Sequence, residues 1–199
     1  MKHKALFIHI PKTGGASMST APWLLKHGTF KVAPTTDFHK EMVRFSFIRH
    51  PFYRYASAVL NLTSGGKPLY ATEETFEQFT KDITLEKIME DDYYLHLRPM
   101  TWYLHTDEGF QPEFIGRFEW LNEDWERLCM LCGETWELPH HNKSGRTYDH
   151  LLTEEVQKKL AEIYAKDFEV FDGYKVDRPP VTEKEATRNY DRKAGKYID

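Results

Sequence analysis

The segment Ala5–Ser17 constrains the fold more than any other part of the chain. It reads ALFIHIPKTGGAS, which is an apolar strand, a tight turn and the start of a helix. The turn holds a lysine, a threonine and two glycines, and a serine follows shortly after. Glycines let a backbone approach an anion closely, and a helix N-terminus directs N–H groups and partial positive charge at the same point. The lysine adds a cation, and the hydroxyl side chains add hydrogen-bond donors. The pattern therefore predicts a loop that wraps a phosphate-like anion, built from Lys12, Thr13, Gly14, Gly15, Ala16 and Ser17.

The order of residues in this loop differs from that of the common nucleotide-binding loop. In the nucleotide loop, G-x-x-x-x-G-K-[ST], the lysine follows the glycines, whereas here Lys12 precedes them and comes directly after Pro11. The later sequence also shows no apolar strand that ends in an aspartate suited to hold magnesium. These features favour an anion-binding relative of the P-loop proteins over an ATPase or GTPase. A nucleotide or small-molecule kinase of the wider P-loop class remains the alternative.

The composition of the chain limits the kinds of partner that the protein can bind. A chain of 199 residues is long enough for one compact domain with a sizeable core. The formal net charge of -4 argues against broad nucleic-acid binding, which needs a basic surface. The first residues lead directly into the predicted strand, with no signal peptide and no apolar run that would span a bilayer. We therefore expect a soluble cytoplasmic protein with neither a nucleic-acid nor a membrane partner.

Cys129 and Cys132 form a C-x-x-C pair within an apolar segment. The chain has no second cysteine pair, and His140 and His141 lack the spacing of a zinc finger. The pattern favours two core thiols in a reducing compartment over a redox or zinc site. No metal site is predicted.

Hydrophobic patterning and turn residues predict alternating strands and helices. The predicted strands are 4–10, 29–33, 43–48 and 114–118, and the predicted helices are 15–27, 51–62, 73–81, 83–90, 122–133 and 153–168, with the aromatic-rich stretch 91–103 compatible with a continuing helix. Thr72, Thr84 and Thr153 are the predicted helix caps. This alternation predicts an α/β fold, a P-loop-like three-layer arrangement with a central parallel β-sheet flanked by helices. The domain is expected to span residues 1–178, followed by a charged, loosely ordered tail over 179–199.

A second strand–turn–helix segment follows at Phe45–Ala58. Arg49 stands at the C-terminal end of the predicted strand, the edge at which α/β proteins bind ligands. Ser57 lies eight residues further, about two turns into the next helix. A guanidinium fork together with a hydroxyl group suits a second phosphate. The alternative is a structural arginine that pairs with a nearby carboxylate.

The two segments together resemble the sulfotransferase family, in particular its carbohydrate, heparan and chondroitin branch and the bacterial relatives of that branch. The resemblance rests on HIPKTGG at 9–15, on FIRHPFYRYASA at 47–58, and on two later stretches, 114–121 and 138–144. These four motifs occur in the family's order, and the similarity covers roughly residues 4–175.

The resemblance implies the donor 3′-phosphoadenosine 5′-phosphosulfate (PAPS), which leaves the product PAP. Because a sulfuryl group carries less negative charge than a phosphoryl group, its transfer is expected to require no metal. In such enzymes the first loop, here Lys12–Ser17, holds the 5′-phosphosulfate. The arginine and serine of the second motif hold the 3′-phosphate, a role that falls on Arg49 and Ser57. A late loop closes over the nucleotide, and its matching residues here are Lys143, Ser144 and Arg146.

Two catalytic roles follow from the implied reaction. Lys12 is placed to stabilise the negative charge that builds on the leaving oxygen, as cationic clamps do in phosphoryl transfer. The acceptor also needs a general base, for which a histidine is suited near neutral pH. His39, in the segment before the third strand, and His96 are the candidates, and Asp37 is a third possibility. His9 and His50 are interpreted as structural residues.

The acceptor is less constrained than the donor. Arg98 and the aromatic residues Tyr93, Tyr94, Trp102 and Tyr103 either line the acceptor side or pack in the core. The sequence does not choose among glycan, lipid, phenol and peptide acceptors, although the short chain favours a small-molecule or exposed glycan acceptor. A non-catalytic module that binds PAP or a sulfated glycan is a further alternative. The oligomeric state is not predicted.

Overall fold

The computed structural model describes residues 4–27, 42–64, 67–139 and 148–173, and the backbone of 189–191 and 196–198. Its strands are β1 (Ala5–Ile8), β2 (Leu24–His27), β3 (Val43–Ile48), β4 (Thr63–Ser64), β5 (Lys67–Pro68), β6 (His105–Thr106), β7 (Gly109–Phe110), β8 (Phe114–Arg117), β9 (Asn189–Asp191) and β10 (Lys196–Ile198). Its α-helices are α1 (Gly15–Met18), α2 (Pro51–Val59), α3 (Glu73–Asp82), α4 (Leu85–Glu90), α5 (Met100–Leu104), α6 (Leu121–Cys132), α7 (Glu154–Ile163) and α8 (Ala165–Gly173). Short 3-10 helices cover Asp92–Leu97, Phe118–Trp120 and Asp149–Leu151.

The chain divides into two compact units. Met1–Arg49 and Met100–Asn142 form the first, which we call the sheet unit, and His50–Pro99 and Lys143–Asp199 form the second, which we call the helical unit. Within the described residues, no helix combines the length and the apolar character needed to cross a membrane.

Among its described residues, the sheet unit contains a parallel sheet of four strands in the order β2-β1-β3-β8. Ala5 lies opposite Leu24 on one side and Val43 on the other, so β1 is a central strand. All four side chains of β1 are buried, as expected for a strand covered on both faces of a parallel sheet. The predicted α/β class, with a central parallel sheet flanked by helices, is confirmed.

Aromatic side chains fill the core of the sheet unit. The rings of Phe7 and Phe45, on neighbouring strands, stack with their centroids 4.9 Å apart. Trp125 of α6 stacks on Trp23, with 5.5 Å between centroids. Burying each such side chain contributes about 1.5–3 kcal/mol, which fixes α6 against the sheet.

The predicted helix 15–27 is wrong in its second half. Helix α1 ends at Met18, and the chain turns and enters β2 at Leu24. Pro22 has no N–H to donate to a continuing helix, and the N–H of Lys4 donates to the carbonyl of Trp23 at 3.0 Å, which starts the pairing with β1. The apolar residues that suggested a helical face lie in or next to the edge strand β2 instead. The predicted strand 29–33 lies outside the described residues.

Threonine caps set the helix boundaries in the helical unit. The Oγ1 atoms of Thr72 and Thr84 each accept a backbone N–H from the third residue of their helix at 3.2 Å, and that of Thr153 does so at 3.4 Å. Each cap of this kind is worth about 1 kcal/mol. All three predicted caps are therefore confirmed. Helix α2 begins at Pro51 as predicted but ends at Val59, after which the chain enters the β4–β5 hairpin.

Two long helices expected from the sequence are interrupted. The stretch 91–103 consists of the 3-10 helix Asp92–Leu97 and of α5, with a break at Arg98 and Pro99. Arg98 adopts an extended conformation (φ −51°, ψ 142°), the usual one before proline. The stretch 153–168 likewise divides at Tyr164, which caps α7 before α8 begins.

Arg54 holds several parts of the helical unit together. Its side chain is fully buried, and Nη1 donates to the carbonyl of His96 at 3.1 Å while Nη2 donates to that of Arg98 at 2.8 Å. Nη2 also lies 3.9 Å from a carboxylate oxygen of the equally buried Asp167. The hydroxyl of Tyr164 donates to the carbonyl of Leu97 at 2.6 Å, so the segment before α5 is anchored from two helices.

Candidate functional site

The loop between β1 and α1 is fixed by backbone geometry. Lys12 (φ 71°) and Gly14 (φ 90°) both adopt left-handed conformations, which turn the chain sharply twice. For a non-glycine residue such as Lys12 this conformation costs about 1–2 kcal/mol. The hydroxyl of buried Thr13 donates to the carbonyl of Ile10 at 2.8 Å and stabilises the turn. The Thr13 hydroxyl therefore donates its hydrogen within the loop. Only the main chain of Thr13 is left to donate to an anion.

His9 packs directly against the loop. A Cβ atom at Gly15 would lie 2.1 Å from Nε2 of His9, a separation that side chains do not tolerate. The His9 ring also lies 5.3 Å from the ring of Phe7, within the sheet unit. Glycine is therefore required at position 15 because the imidazole occupies the space of a side chain.

The first turn of α1 supplies hydrogen-bond donors. The N–H groups of Ser17 and Met18 donate to the carbonyl of Gly14, at 3.1 and 3.4 Å, which closes the turn. The earlier amides of a helix have no partner inside the helix and are suited to an anion. The half-buried Lys12 belongs to the same loop as these amides.

Arg49 joins this loop from the neighbouring strand. Its Nη1 donates to the main-chain carbonyl of Lys12 at 3.4 Å, and only 6% of the residue is exposed. Strands β1 and β3 are parallel neighbours, so their C-terminal ends meet at one edge. The hydroxyl of Ser46 donates to the carbonyl of Ile8 at 2.7 Å and fixes the two strands at that edge. The two predicted anion-binding groups therefore lie side by side.

Phe118 brings a third strand end to the same place. It follows β8, and the guanidinium carbon of Arg49 lies 4.3 Å from the centre of its ring. A Cβ atom at Gly14 would lie 3.5 Å from the Phe118 ring and 3.2 Å from Leu121, so the loop also rests on this aromatic residue. Phe118 thus orients the arginine and supports the loop.

Comparison with known proteins identifies the family. Residues 1–175 match the family model described as the sulfotransferase family. The chain belongs to the sulfotransferase family. No curated protein and no solved structure gives a significant match. Membership confirms the resemblance drawn from the motifs and identifies a transferase enzyme of the sulfuryl-transferring class.

Other predicted site residues of this sulfotransferase family member belong to the helical unit or lie outside the described residues. Ser57 lies in α2, as predicted, and is half-buried. His96 lies in the 3-10 helix Asp92–Leu97, where its main-chain carbonyl accepts from Arg54. The remaining candidates fall outside the described residues, namely His39, Asp37, Lys143, Ser144 and Arg146.

Arg98 has a clear packing function. Its Nη2 donates to Asp92 at 2.8 Å and to the carbonyl of Met89 at 3.0 Å, and Nε donates to the carbonyl of Ile88 at 3.3 Å. These bonds secure the C-terminal end of α4, so the interpretation of Arg98 as a packing residue is favoured over one at the acceptor side. The aromatic residues that accompany it in sequence are divided between the units, with Tyr93 and Tyr94 in the helical unit and Trp102 and Tyr103 in the sheet unit.

His50 has the structural setting expected of it. It caps α2, and its ring lies between 5.2 and 5.6 Å from four aromatic rings, those of Phe52, Tyr53, Phe168 and Phe171. The sequence predicted His9 as a structural residue and placed Phe118 within a family motif, but it assigned neither of them to the support of the loop. Their only signal was position, since each stands immediately after a strand of the central sheet.

The two thiols are free and buried to different extents. Burial raises the pKa of Cys129, and burial together with Cys129 raises the pKa of Cys132 to about 11. Thiols of this kind are weak nucleophiles, in keeping with the predicted core role. Among the described residues, no group of three or more histidine, cysteine or acidic side chains is arranged to hold a metal.

Proposed function

We propose that this protein transfers a sulfuryl group from PAPS to a hydroxyl or amine group of a small-molecule or glycan acceptor, by in-line displacement. The single observation that carries the proposal is the contact between Arg49 and the carbonyl of Lys12, because it joins the two motifs expected to hold opposite ends of one nucleotide. Family membership supports the reaction class.

The residues around the loop suit such a donor. PAPS, when bound, supplies an activated sulfuryl group and a phosphate leaving group. The amides of Gly15 and Ala16, at the start of α1, can hold the anionic 5′ end, and Lys12 can donate to the oxygen that gains charge as the S–O bond breaks. Arg49, together with Ser57, would hold the 3′-phosphate, and Lys143, Ser144 and Arg146 would cover the nucleotide.

The acceptor must lose a proton during transfer. His39 and His96 are the proposed general bases, with Asp37 as a third candidate. Of these three residues only His96 lies among the described residues, in the 3-10 helix Asp92–Leu97, where its main-chain carbonyl accepts from Arg54 at 3.1 Å. Alanine substitution of each candidate, with PAP binding as the control, identifies the base as the residue whose loss lowers turnover while PAP still binds.

Thermal unfolding with PAP and with ATP tests the donor. We expect PAP to raise the melting temperature more than ATP does, because two separate anion sites match two separate phosphate positions. Lys12→Gln should weaken this effect, whereas Lys4→Gln, at the opposite end of β1 and paired with Glu134 at 2.6 Å, should not. Equal stabilisation by ATP would favour the kinase alternative.

A screen for transfer of labelled sulfate from PAPS to mixed acceptors tests the reaction itself. Small hydroxylated compounds, amines and oligosaccharides should be offered separately. Label in an acceptor, lost in Lys12→Gln, supports the enzyme. Binding of PAP without transfer to any acceptor would favour a non-catalytic module.

A further inference from the structure

The helical unit contains an open cleft of about 370 Å³ that the donor site does not use. Its volume falls within the range of about 300–1,000 Å³ that is usual for small-molecule sites. The cleft lies among α3, α4, the segment that follows β5, and the 3-10 helix that follows α4. Its lining residues are Leu69, Tyr70, Thr75, Gln78, Phe79, Asp82, Ile83, Lys87 and Tyr94.

Aromatic rings form one side of this cleft. Tyr70 and Phe79 lie face to face, with 4.3 Å between centroids and 30° between planes, and Tyr94 lies 6.1 Å from Phe79. Because Tyr70 covers Phe79, which is only 8% exposed, the outer face of Tyr70 forms the platform, and a single face does not surround a point as the walls of a cation cage do. A platform of this kind suits the flat apolar face of a sugar ring.

Polar groups stand beside the platform in defined positions. The amide of Gln78 donates to the carboxylate of Asp82 at 3.0 Å, and the ammonium group of Lys87 donates to the main-chain carbonyl of Asp82 at 3.0 Å. The carboxylate and the ammonium group each retain further hydrogen-bonding capacity. The Tyr94 hydroxyl can both donate and accept, and desolvation raises its pKa further above neutral pH. Sugar hydroxyls, which both donate and accept, match this mixed set.

The charge around the cleft restricts the ligand. Residues 67–92 carry eight carboxylates and three lysines, so a polyanionic glycan would be repelled. Lys87 and Asp82 place one positive and one negative charge in the lining itself, so the lining has no net charge that would favour an organic cation on the aromatic rings. The ligand that satisfies both conditions is uncharged.

We propose that the cleft lined by Tyr70, Phe79, Asp82, Lys87 and Tyr94 binds a neutral sugar residue, with one sugar face stacked on the aromatic platform. The inference concerns the helical unit alone and does not rest on the proposed sulfuryl transfer.

Saturation-transfer NMR and calorimetry on the full chain test the proposal. The probes are three neutral saccharides (maltotriose, cellotriose and N-acetylchitotriose), a heparin-derived hexasaccharide and acetylcholine. At least one neutral saccharide should bind, and Tyr70→Ala should weaken its binding by about tenfold or more because the platform is lost. Tyr70→Phe, which keeps the ring, should stay within a few-fold of the unaltered chain.

Two controls distinguish binding in the cleft from binding elsewhere and from loss of the fold. Phe110→Ala removes an exposed aromatic ring that does not line the cleft and should leave saccharide binding unchanged. Urea unfolding of each variant shows whether the chain is folded, independently of the cleft and of the donor site. The proposal is overturned if no neutral saccharide binds, if heparin or acetylcholine binds in preference, or if Phe110→Ala weakens binding as much as Tyr70→Ala.

Discussion

The guanidinium group of Arg49 donates a hydrogen bond to the main-chain carbonyl of Lys12, with 3.4 Å between Nη1 and the oxygen. Arg49 directly follows β3 and Lys12 follows β1, so their contact depends on the parallel pairing of β1 with β3. Arg49 therefore contributes a charge and also restrains the loop that carries Lys12. The ring of Phe118 keeps the arginine in that position.

Arg49→Lys should weaken PAP binding by at least about tenfold, because a lysine cannot both contact the loop and present a planar fork to a phosphate. Isothermal titration with PAP measures the change. Arg44→Lys is the matched control, since Arg44 lies on the same strand and is bonded to Glu113 at 3.4 Å, away from the loop. Equal affinity of Arg49→Lys and the unaltered chain would contradict the assignment.

Gly15→Ala should also weaken PAP binding, because its new methyl group would meet the His9 ring at 2.1 Å and displace the loop. Adding His9→Ala removes that clash, so the double variant should bind PAP more tightly than Gly15→Ala does. Gly173→Ala, where an added methyl group meets nothing within 4 Å, should bind as the unaltered chain. No recovery in the double variant would show that the two residues act independently.

Arg54→Met should lower the free energy of unfolding by about 3 kcal/mol or more, because it leaves the buried Asp167 carboxylate without this guanidinium. Urea unfolding measures the loss. Arg44→Met, whose partner Glu113 is more than half exposed, should cost no more than about 1 kcal/mol. Equal costs for the two variants would mean that burial of the Arg54 pair has no energetic consequence.

Cys132 should react slowly with thiol reagents. A pKa of about 11 makes its thiolate fraction at pH 8 about a hundredfold smaller than that of an ordinary cysteine. The raised pKa also makes the stability of the fold depend on pH. Between the unfolded value of about 8.5 and the folded value, the unfolded chain holds fewer protons, so the free energy of unfolding falls as pH rises. Disulfide-exchange rates of the Cys129→Ser variant, folded and in urea, measure the difference, and equal rates would contradict it.

Sulfuryl transfer should persist in EDTA, because a sulfuryl group carries less negative charge than a phosphoryl group and the cations of the chain suffice to stabilise it. The measurement is conversion of PAPS to PAP with and without chelator. Activity that disappears in EDTA and returns with magnesium would favour metal-dependent phosphoryl-type chemistry.

Local patterns in the sequence were sufficient for part of the fold. The strand Val43–Ile48 was predicted with its observed bounds, because it is apolar and ends before a proline that begins a helix. The caps at Thr72 and Thr84 were predicted because their side chains act on the next turn of the same chain segment. The position of Arg49 at a strand end followed from the same local reading.

The wrong predictions concern segments whose structure depends on residues that are distant in the sequence. The segment Leu24–His27 has too few residues to distinguish a strand from a helix by periodicity, and its pairing with β1 decided for the strand. The break at Pro99 left carbonyl groups that the buried side chain of Arg54 satisfies, and no local signal marks that arginine as structural.

The sequence by itself determined the turn chemistry of the loop, the strands of the sheet centre and the family, because each of these depends on neighbours along the chain. Only the tertiary structure decided that His9 occupies the space beside Gly15, that Phe118 supports Arg49, and that Tyr70 stacks on Phe79 in a cleft. These contacts join residues from different elements, and their free energy depends on close packing that no local pattern specifies.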